Sequence, residues 1–145
     1  MKLSISTYSL SGWRGETGAT LEDTIDAVAE LNVAAIEFSG LDNPAKPLQR
    51  AAVLRRRAEK RGLAIANYCI GAELLRPADG LAKAVEQLKR QVDVAAARGV
   101  KRMRHDITRG FGDYSVGLRG GKTFENVLRI VVPAIREVAD YAKKQ

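Results

Sequence analysis

Apolar and polar positions follow a repeating order along this chain. Residues 2–8 alternate apolar and polar side chains as a short strand does, and the Gly-, Ser- and Thr-rich stretch 9–20 predicts a loop. A helix is expected after Thr20, which can cap it, because Asp23 follows three residues later. The apolar run 33–39 then predicts a buried strand.

The end of this first helix has two counterparts further along. Asn32, Gly62 and Gly99 each follow a helical stretch and can adopt the left-handed backbone that ends a helix. Strands are predicted after the two glycines, over 64–70 and 101–108. Spacings of 30 and then 37 residues suit one strand plus one crossover helix. The order β-α-β-α-β-α-β-α therefore predicts a parallel sheet with right-handed crossovers.

A last helix is predicted over residues 123–144, with Thr123 as its cap. Its end is similar to the helical stretches that precede the two glycines, after which another strand would follow in a longer protein. We expect a single domain over residues 1–145. Its fold class is α/β, with four β-α units and parallel strands.

The composition indicates the cellular compartment in which we expect this protein. The chain has 145 residues with 46% hydrophobic content, enough for one globular core. It contains no apolar run of about 18 residues that could span a bilayer, and its N-terminus does not resemble a signal peptide. The single cysteine, Cys69, excludes an internal disulfide framework and is expected to be a small core residue. We therefore expect a cytoplasmic protein.

The formal charge of +7 leaves two interpretations open. A basic surface can attract an anionic partner, whereas cations near helix C-termini are favoured by the helix dipole and are usually solvated. Aromatic residues make up only 6% of the chain, which weakens an interpretation as a single-strand nucleic-acid binder. The basic residues near predicted helix ends are Arg55, Arg56, Arg57, Lys60, Arg61, Arg98, Lys143 and Lys144.

Four phrases carry a family resemblance: MKLSISTYS, AAIEFSG, AEKRGLAIANY and AAARGVKRMRHD. Together, in this order and spacing, they resemble the first half of the sugar phosphate isomerase/epimerase family. These proteins are xylose isomerase-like TIM barrels, and the group also includes endonuclease IV-type enzymes. The resemblance covers essentially the whole chain but only about half of the family's barrel. It therefore implies that the four β-α units form a half-barrel of the TIM type.

The resemblance implies metal-dependent proton transfer on a ketose or aldose. In that family a divalent metal, such as Mg, Mn, Co or Zn, is held by Glu, Asp and His residues of later strands. Those strands are absent here, so the resemblance assigns no metal ligand to this chain. It implies a sugar or sugar phosphate isomerase/epimerase that is incomplete as a single chain and needs a second half-barrel, for example in a homodimer.

Two alternatives remain open. The chain could be a non-catalytic half-barrel that binds carbohydrate or a protein partner. It could also be an endonuclease IV-like DNA-processing protein, but that chemistry uses several histidines and this chain has one. We therefore expect no nucleic-acid partner and no membrane partner.

Candidate site residues are those at the C-terminal ends of the predicted strands, where parallel α/β folds place their sites. Glu37 and His105 are the catalytic candidates. The remaining candidates are Ser39 and six residues predicted to bind substrate, namely Tyr8, Trp13, Tyr68, Glu73, Arg104 and Asp106.

Glu37 interrupts an apolar strand, where an unpaired buried charge would be costly. It could orient a sugar hydroxyl, act as a base, or pair structurally with Arg104 or another residue of the strand ends. Trp13 and Tyr68 could form an apolar wall against a sugar or simply fill the barrel. Glu73 could contact substrate or be a solvated charge.

His105 and Asp106 are adjacent, so their side chains point to opposite sides of an extended segment. The same alternation applies to Arg104 and His105, so one of these two side chains is expected to face the barrel interior. His105 could contact substrate, make a structural hydrogen bond or bind a metal, although it lacks nearby His or Cys companions for a metal site.

The segment 117–123 contains glycines and a lysine before a predicted helix, as phosphate loops do. A Walker loop would need glycine where this chain has Val116, so a nucleotide site is not expected. Weak anion binding, or a flexible loop ending in the Thr123 cap, remains open.

Overall fold

The computed structural model describes residues 2–42, 45–108 and 123–145. Its strands form one sheet in the order β1-β2-β3-β4 and alternate with helices, as in part of a TIM barrel. The predicted α/β class with parallel strands is confirmed. The elements are β1 (Ser4–Ser6), a 3-10 helix (Thr7–Leu10), α1 (Ser11–Thr17), α2 (Leu21–Glu30), β2 (Ala35–Ser39), α3 (Pro47–Lys60), β3 (Ala64–Ile70), α4 (Leu81–Ala97), β4 (Met103–His105) and α5 (Phe124–Ala142).

The predicted helix ends are confirmed. Thr20 and Asp23 form a reciprocal capping box at the start of α2, with the Thr20 amide 2.8 Å from an Asp23 carboxylate oxygen. Asn32, Gly62 and Gly99 all have positive φ, at 53°, 74° and 72°. The three positions predicted from the repeat therefore have the left-handed backbone that separates each helix from the next strand.

The prediction of a loop over residues 9–20 is wrong. The 3-10 helix and α1 occupy most of this stretch. Gly18 ends α1 with a φ of 71°, and its amide donates to the Arg14 carbonyl at 2.9 Å. The glycines and serines lower the helix propensity of the segment, but seven residues of helix form here with a glycine at the C-terminal cap.

The chain divides into two compact units, Met1–Ile70 with Val94–Arg104 and Gly71–Asp93 with His105–Gln145. In the first unit, one face of the sheet packs on helices and forms the core. We call this the helix face. Its buried side chains include Ile36, Phe38 and Tyr68, which cluster with Ile25 of α2 and Leu54 of α3.

Ion pairs connect α2 to α3 in the first unit. Arg57 pairs with Asp26, and Arg61 pairs with Glu30. Arg50 holds Glu22 through both terminal nitrogens. The interpretation that basic helix ends are simply solvated is therefore wrong for Arg57 and Arg61, because the facing helix α2 supplies carboxylates.

Arg98 is a second exception to the solvated helix ends. It follows the last residue of α4, yet only 1% of it is exposed, and its guanidinium lies over the rings of Phe38 and Tyr68. A long side chain on a helix points back toward the helix N-terminus, so a residue at the end of a helix can still reach the core.

In the second unit, side-chain hydrogen bonds connect α5 to α4. The Tyr141 hydroxyl donates to an Asp93 carboxylate oxygen at 2.8 Å, and Lys89 donates to Glu137 at 2.7 Å. Thr123 caps α5 by accepting from the Asn126 amide, as predicted. None of the helices in the described part of the chain is long and apolar enough to cross a membrane.

Candidate functional site

The face of the sheet opposite the helix face carries a polar cluster around Glu37. Ser6 of β1 is in register with Glu37 of β2, and Glu37 is in register with Asn67 of β3. Residues in register on parallel strands share a face, so these three side chains lie side by side. We call Ser6, Glu37, Asn67, Cys69 and Arg104 the Glu37 cluster.

A register shift decides which residue lies beside Glu37. Ile36 pairs with Ile65, whereas Glu37 pairs with Asn67, so Ala66 is an extra residue on β3. Without this bulge, Ala66 would lie opposite Glu37. Bulges often occur beside functional sites, where they redirect a side chain. Here the bulge places an amide donor beside the carboxylate.

Hydrogen bonds hold Glu37 in its ionised form. The Asn67 Nδ2 donates to Glu37 Oε2 at 3.0 Å. Burial alone raises the pKa of Glu37, but hydrogen bonds from Asn67, Ser6 and Cys69 and the positive charge of Arg104 outweigh it. The net pKa lies below the ordinary value of a glutamate, so this carboxylate is negatively charged at neutral pH.

Cys69 and Arg104 complete the cluster. Cys69 is 4% exposed, and burial raises the pKa of its thiol despite a hydrogen bond from Arg104. Its sulfur also accepts from Asn67 Nδ2 at 3.2 Å. Cys69 is buried as predicted, but its neighbours are polar. Arg104 is the residue of β4 whose charge acts on Glu37.

Tyr68 does not share this face. It lies between Asn67 and Cys69 along β3, so alternation turns its side chain to the helix face, where it is 1% exposed and contacts Arg98. The predicted contact of Tyr68 with substrate is therefore corrected. Tyr8, 72% exposed, and Trp13, 39% exposed, remain predicted substrate contacts.

Ser39 contributes its backbone to the end of β2. Its amide donates to the Thr7 hydroxyl oxygen at 2.9 Å, and Thr7 itself is fully buried. This hydrogen bond connects the 3-10 helix that follows β1 to the end of β2. Ser39 is in register with Cys69 of the Glu37 cluster.

In the second unit, Glu73 organises the segment after β3. One carboxylate oxygen accepts from the amides of Leu75 and Arg76, each at 3.0 Å, and the other accepts from the Thr108 hydroxyl at 3.1 Å. The interpretation of Glu73 as a solvated charge is therefore wrong. Its contact with substrate remains a prediction.

His105 makes a local hydrogen bond. Its Nδ1 lies 2.8 Å from the Asp106 carbonyl oxygen. A carbonyl oxygen can only accept, so Nδ1 carries the proton and Nε2 holds the lone pair whenever the ring is neutral. This is the structural hydrogen bond that the sequence left open. The catalytic role of His105 and the substrate contact of Asp106 remain predictions.

The donor set does not fit a complete metal cage. Within residues 2–42, 45–108 and 123–145, no three His, Cys, Asp or Glu side chains come together to hold an ion. In the Glu37 cluster, Glu37 is the one carboxylate, and the nearby charge of Arg104 would oppose a cation. The possible anion loop at residues 117–122 lies outside the described residues.

Sequence reasoning missed three residues of the Glu37 cluster. It did not consider Ser6 or Asn67, and it assigned Cys69 to the core. The signal used for Glu37, a polar residue inside an apolar strand, also applies to Asn67 within 64–70. Which face Asn67 occupies depends on the bulge, and the sequence pattern does not reveal a bulge.

A family model and several solved structures are similar to this chain. The model of the xylose isomerase-like TIM barrel family matches residues 25–145. Similar solved structures include a D-psicose 3-epimerase, with 19% identity and a TM-score of 0.70, and an L-ribulose 3-epimerase, with 22% identity and the same TM-score. A 3-keto-D-glucoside 4-epimerase from E. coli has 13% identity and a TM-score of 0.62 over 86% of this chain and 47% of its own.

The match is to part of each barrel. The first two epimerases are matched over 99% of this chain but over 49% and 46% of their own chains. The chain thus spans about half the length of the solved structures it resembles. No curated protein matches it. Since the family model matches residues 25–145 of the 145-residue sequence, this chain belongs to the xylose isomerase-like TIM barrel family.

Proposed function

We propose that this chain is a (β/α)4 half-barrel of a sugar isomerase or epimerase type, with its sugar site on the Glu37 cluster. The observation that carries the proposal is the placement of an ionised carboxylate, a hydroxyl, an amide and a guanidinium on one sheet face. Sugars present hydroxyl groups that both donate and accept, and such a mixed set can hydrogen-bond several of them.

Glu37 is best suited to accept a hydrogen bond from a sugar hydroxyl. An efficient general base has a pKa near the working pH, whereas the neighbours of Glu37 lower its pKa. A stable carboxylate is a strong acceptor for a neutral hydroxyl. Of the roles that the sequence left open, orientation of the sugar is therefore favoured over proton abstraction.

Catalysis would need a second half-barrel. Epimerisation moves a proton at a carbon next to a carbonyl, and a divalent metal would polarise that carbonyl when bound. The described residues of this chain do not offer a full ligand set for such an ion. We propose that another half-barrel, either a second copy of this chain or a complementing chain, supplies the missing strands. Cys69, a free thiol, suits a reducing compartment such as the cytoplasm.

A second candidate is a half-barrel that binds sugar without turnover. The lowered pKa of Glu37 and the lack of a grouped ligand set within the described ranges favour it. Both candidates use the same cluster, and they differ in whether a bound sugar reacts.

The test measures binding and turnover of ketoses by the full chain. D-Fructose and L-ribulose would be titrated in the presence of Mg²⁺, Mn²⁺, Co²⁺ or Zn²⁺, with binding followed by calorimetry and epimerisation by NMR. Glu37→Gln keeps the side-chain shape and removes its charge. One charge-assisted hydrogen bond contributes roughly 1.5–3 kcal/mol, so this change should weaken binding by about 10- to 150-fold.

Glu16→Gln is the matched control, because it changes an exposed glutamate of α1 in the same way. It should bind sugar as the native chain does. Turnover with any of the metals would support the enzyme, and binding without turnover would support the second candidate. Binding that is unchanged by Glu37→Gln would refute the placement of the sugar on the Glu37 cluster.

A further inference from the structure

A buried arginine lies on the helix face, opposite the Glu37 cluster. Arg98 is 1% exposed, and its guanidinium carbon is 4.1 Å from the centroid of the Phe38 ring and 4.7 Å from that of the Tyr68 ring. The two rings contact the guanidinium as aromatic faces contact cations.

The hydrogen-bond donors of Arg98 are largely unused. A guanidinium has five N–H donors. Nη2 donates to the Gly40 carbonyl oxygen at 3.3 Å, whereas Nε and Nη1 are both buried and have no hydrogen-bond partner among the residues that the structure describes. Buried polar groups in folded proteins are nearly always paired with protein, water or an ion. These two nitrogens therefore indicate a missing acceptor.

The charge of Arg98 is also unpaired among the described residues, where it forms no salt bridge. Asp42 is close enough for its charge to act on Arg98, but Arg50 already holds that carboxylate, with Nε 2.7 Å from Oδ1 and Nη2 2.5 Å from Oδ2. Arg50 also holds Glu22. Burial lowers the pKa of Arg98 to about 10. A buried cation normally has an anion as its partner.

We propose that Arg98 is the binding group of a small-anion site at the end of β2, next to Gly40, and that the anion is an inorganic oxyanion of the size of phosphate. Such an ion supplies both the negative charge and the acceptor oxygens that Nε and Nη1 lack. The N–H bonds of a guanidinium lie in its plane, so the anion approaches Nε and Nη1 in that plane. Water would supply acceptors without the charge.

The test measures thermal unfolding of the full chain in a phosphate series, at an ionic strength held constant with a bulky sulfonate buffer salt. A ligand that binds only the folded state stabilises it in proportion to ln(1 + [L]/Kd). The melting temperature of the native chain should rise with phosphate along this curve. At a concentration about 100-fold above Kd, the ratio of folded to unfolded protein should increase about 100-fold.

Arg98→Met should abolish this rise, because it fills a similar volume without donors. Arg56→Met is the matched control, since it removes one charge from an exposed arginine of α3 and should respond as the native chain does. An equal response in Arg98→Met and the native chain would show that phosphate acts elsewhere.

A second measurement does not depend on a variant that folds. A crystal structure of the native chain grown with selenate, a tetrahedral oxyanion with a strong anomalous signal, should show selenium beside Nε or Nη1 of Arg98. Water molecules alone at these nitrogens, at a selenate concentration that saturates the thermal shift, would overturn the proposal. Neither result bears on the Glu37 cluster, which lies on the other face of the sheet.

Discussion

Arg50→Met tests whether the ion pairs between α2 and α3 stabilise the first unit. Arg50 is the centre of this network, because it binds the carboxylates of both Glu22 and Asp42. Methionine keeps most of the apolar stem of the side chain and removes every donor. The variant also leaves two carboxylates near each other, and their mutual repulsion raises the pKa of Glu22.

The expected magnitude follows from the partial burial of the three groups. Their side chains are 18%, 30% and 33% exposed for Arg50, Glu22 and Asp42. Fully exposed pairs contribute roughly 0–1 kcal/mol, and hydrogen bonds to charged groups contribute roughly 1.5–3 kcal/mol. With two carboxylates and intermediate exposure, we expect Arg50→Met to lower the free energy of unfolding by about 2–3 kcal/mol at pH 7.

The effect should depend on pH with a defined sign. The hydrogen bonds from Arg50 lower the pKa values of Glu22 and Asp42 in the folded chain. Groups with a depressed folded pKa stabilise the fold above their ordinary pKa, which is about 4 for these carboxyls, and lose that contribution as the pH falls through the folded value. The difference between Arg50→Met and the native chain should therefore shrink from pH 7 to pH 3.

Urea unfolding followed by circular dichroism at both pH values measures this difference. Arg55→Met is the matched control, because Arg55 pairs with Glu59 on the exposed surface of the same helix, and it should change stability by about 0.5 kcal/mol or less. A loss for Arg50→Met that is the same at pH 7 and pH 3 would refute the electrostatic reasoning and assign the effect to packing of the stem.

Two further predictions concern the Glu37 cluster and the assembly. Asn67→Ala should raise the pKa of Glu37, because it removes the donor 3.0 Å from Oε2; carbon-13 NMR of the carboxyl carbon measures this, with Gln49→Ala on α3 as control. An unchanged pKa would assign the lowering to Ser6, Cys69 and Arg104. Size-exclusion chromatography with light scattering should show a homodimer at micromolar concentration, since a lone half-barrel exposes the edges of its sheet. A well-behaved monomer would argue against self-association.

The sequence predicted the order of elements because that order depends on local chemistry. Three helices end just before a residue with a left-handed backbone, namely Asn32, Gly62 or Gly99. Thr20 caps α2 through Asp23, only three positions away. The same local reasoning was wrong for residues 9–20. There the glycine content indicated a loop, but the structure forms the short helix α1.

The face that each residue occupies was harder to predict. Glu37 was identified correctly as a charge in an apolar strand that needs a partner, and Arg104 was one of the partners proposed for it. Tyr68 was assigned to the site, but it contacts Arg98 on the helix face. Arg98 was expected to be solvated at a helix end, yet the direction of its side chain takes it into the core.

By itself, the sequence determined the alternation of strands and helices, the helix ends and the presence of a charge within β2, because each depends on residues close together along the chain. The tertiary structure decided what surrounds that charge. One extra residue, Ala66, shifts the register between β2 and β3 and puts Asn67 beside Glu37. Pairing between strands joins residues about 30 positions apart along the chain. A slip of one residue in the register exchanges the two faces of a strand, so the pattern along one strand cannot specify which residues become neighbours.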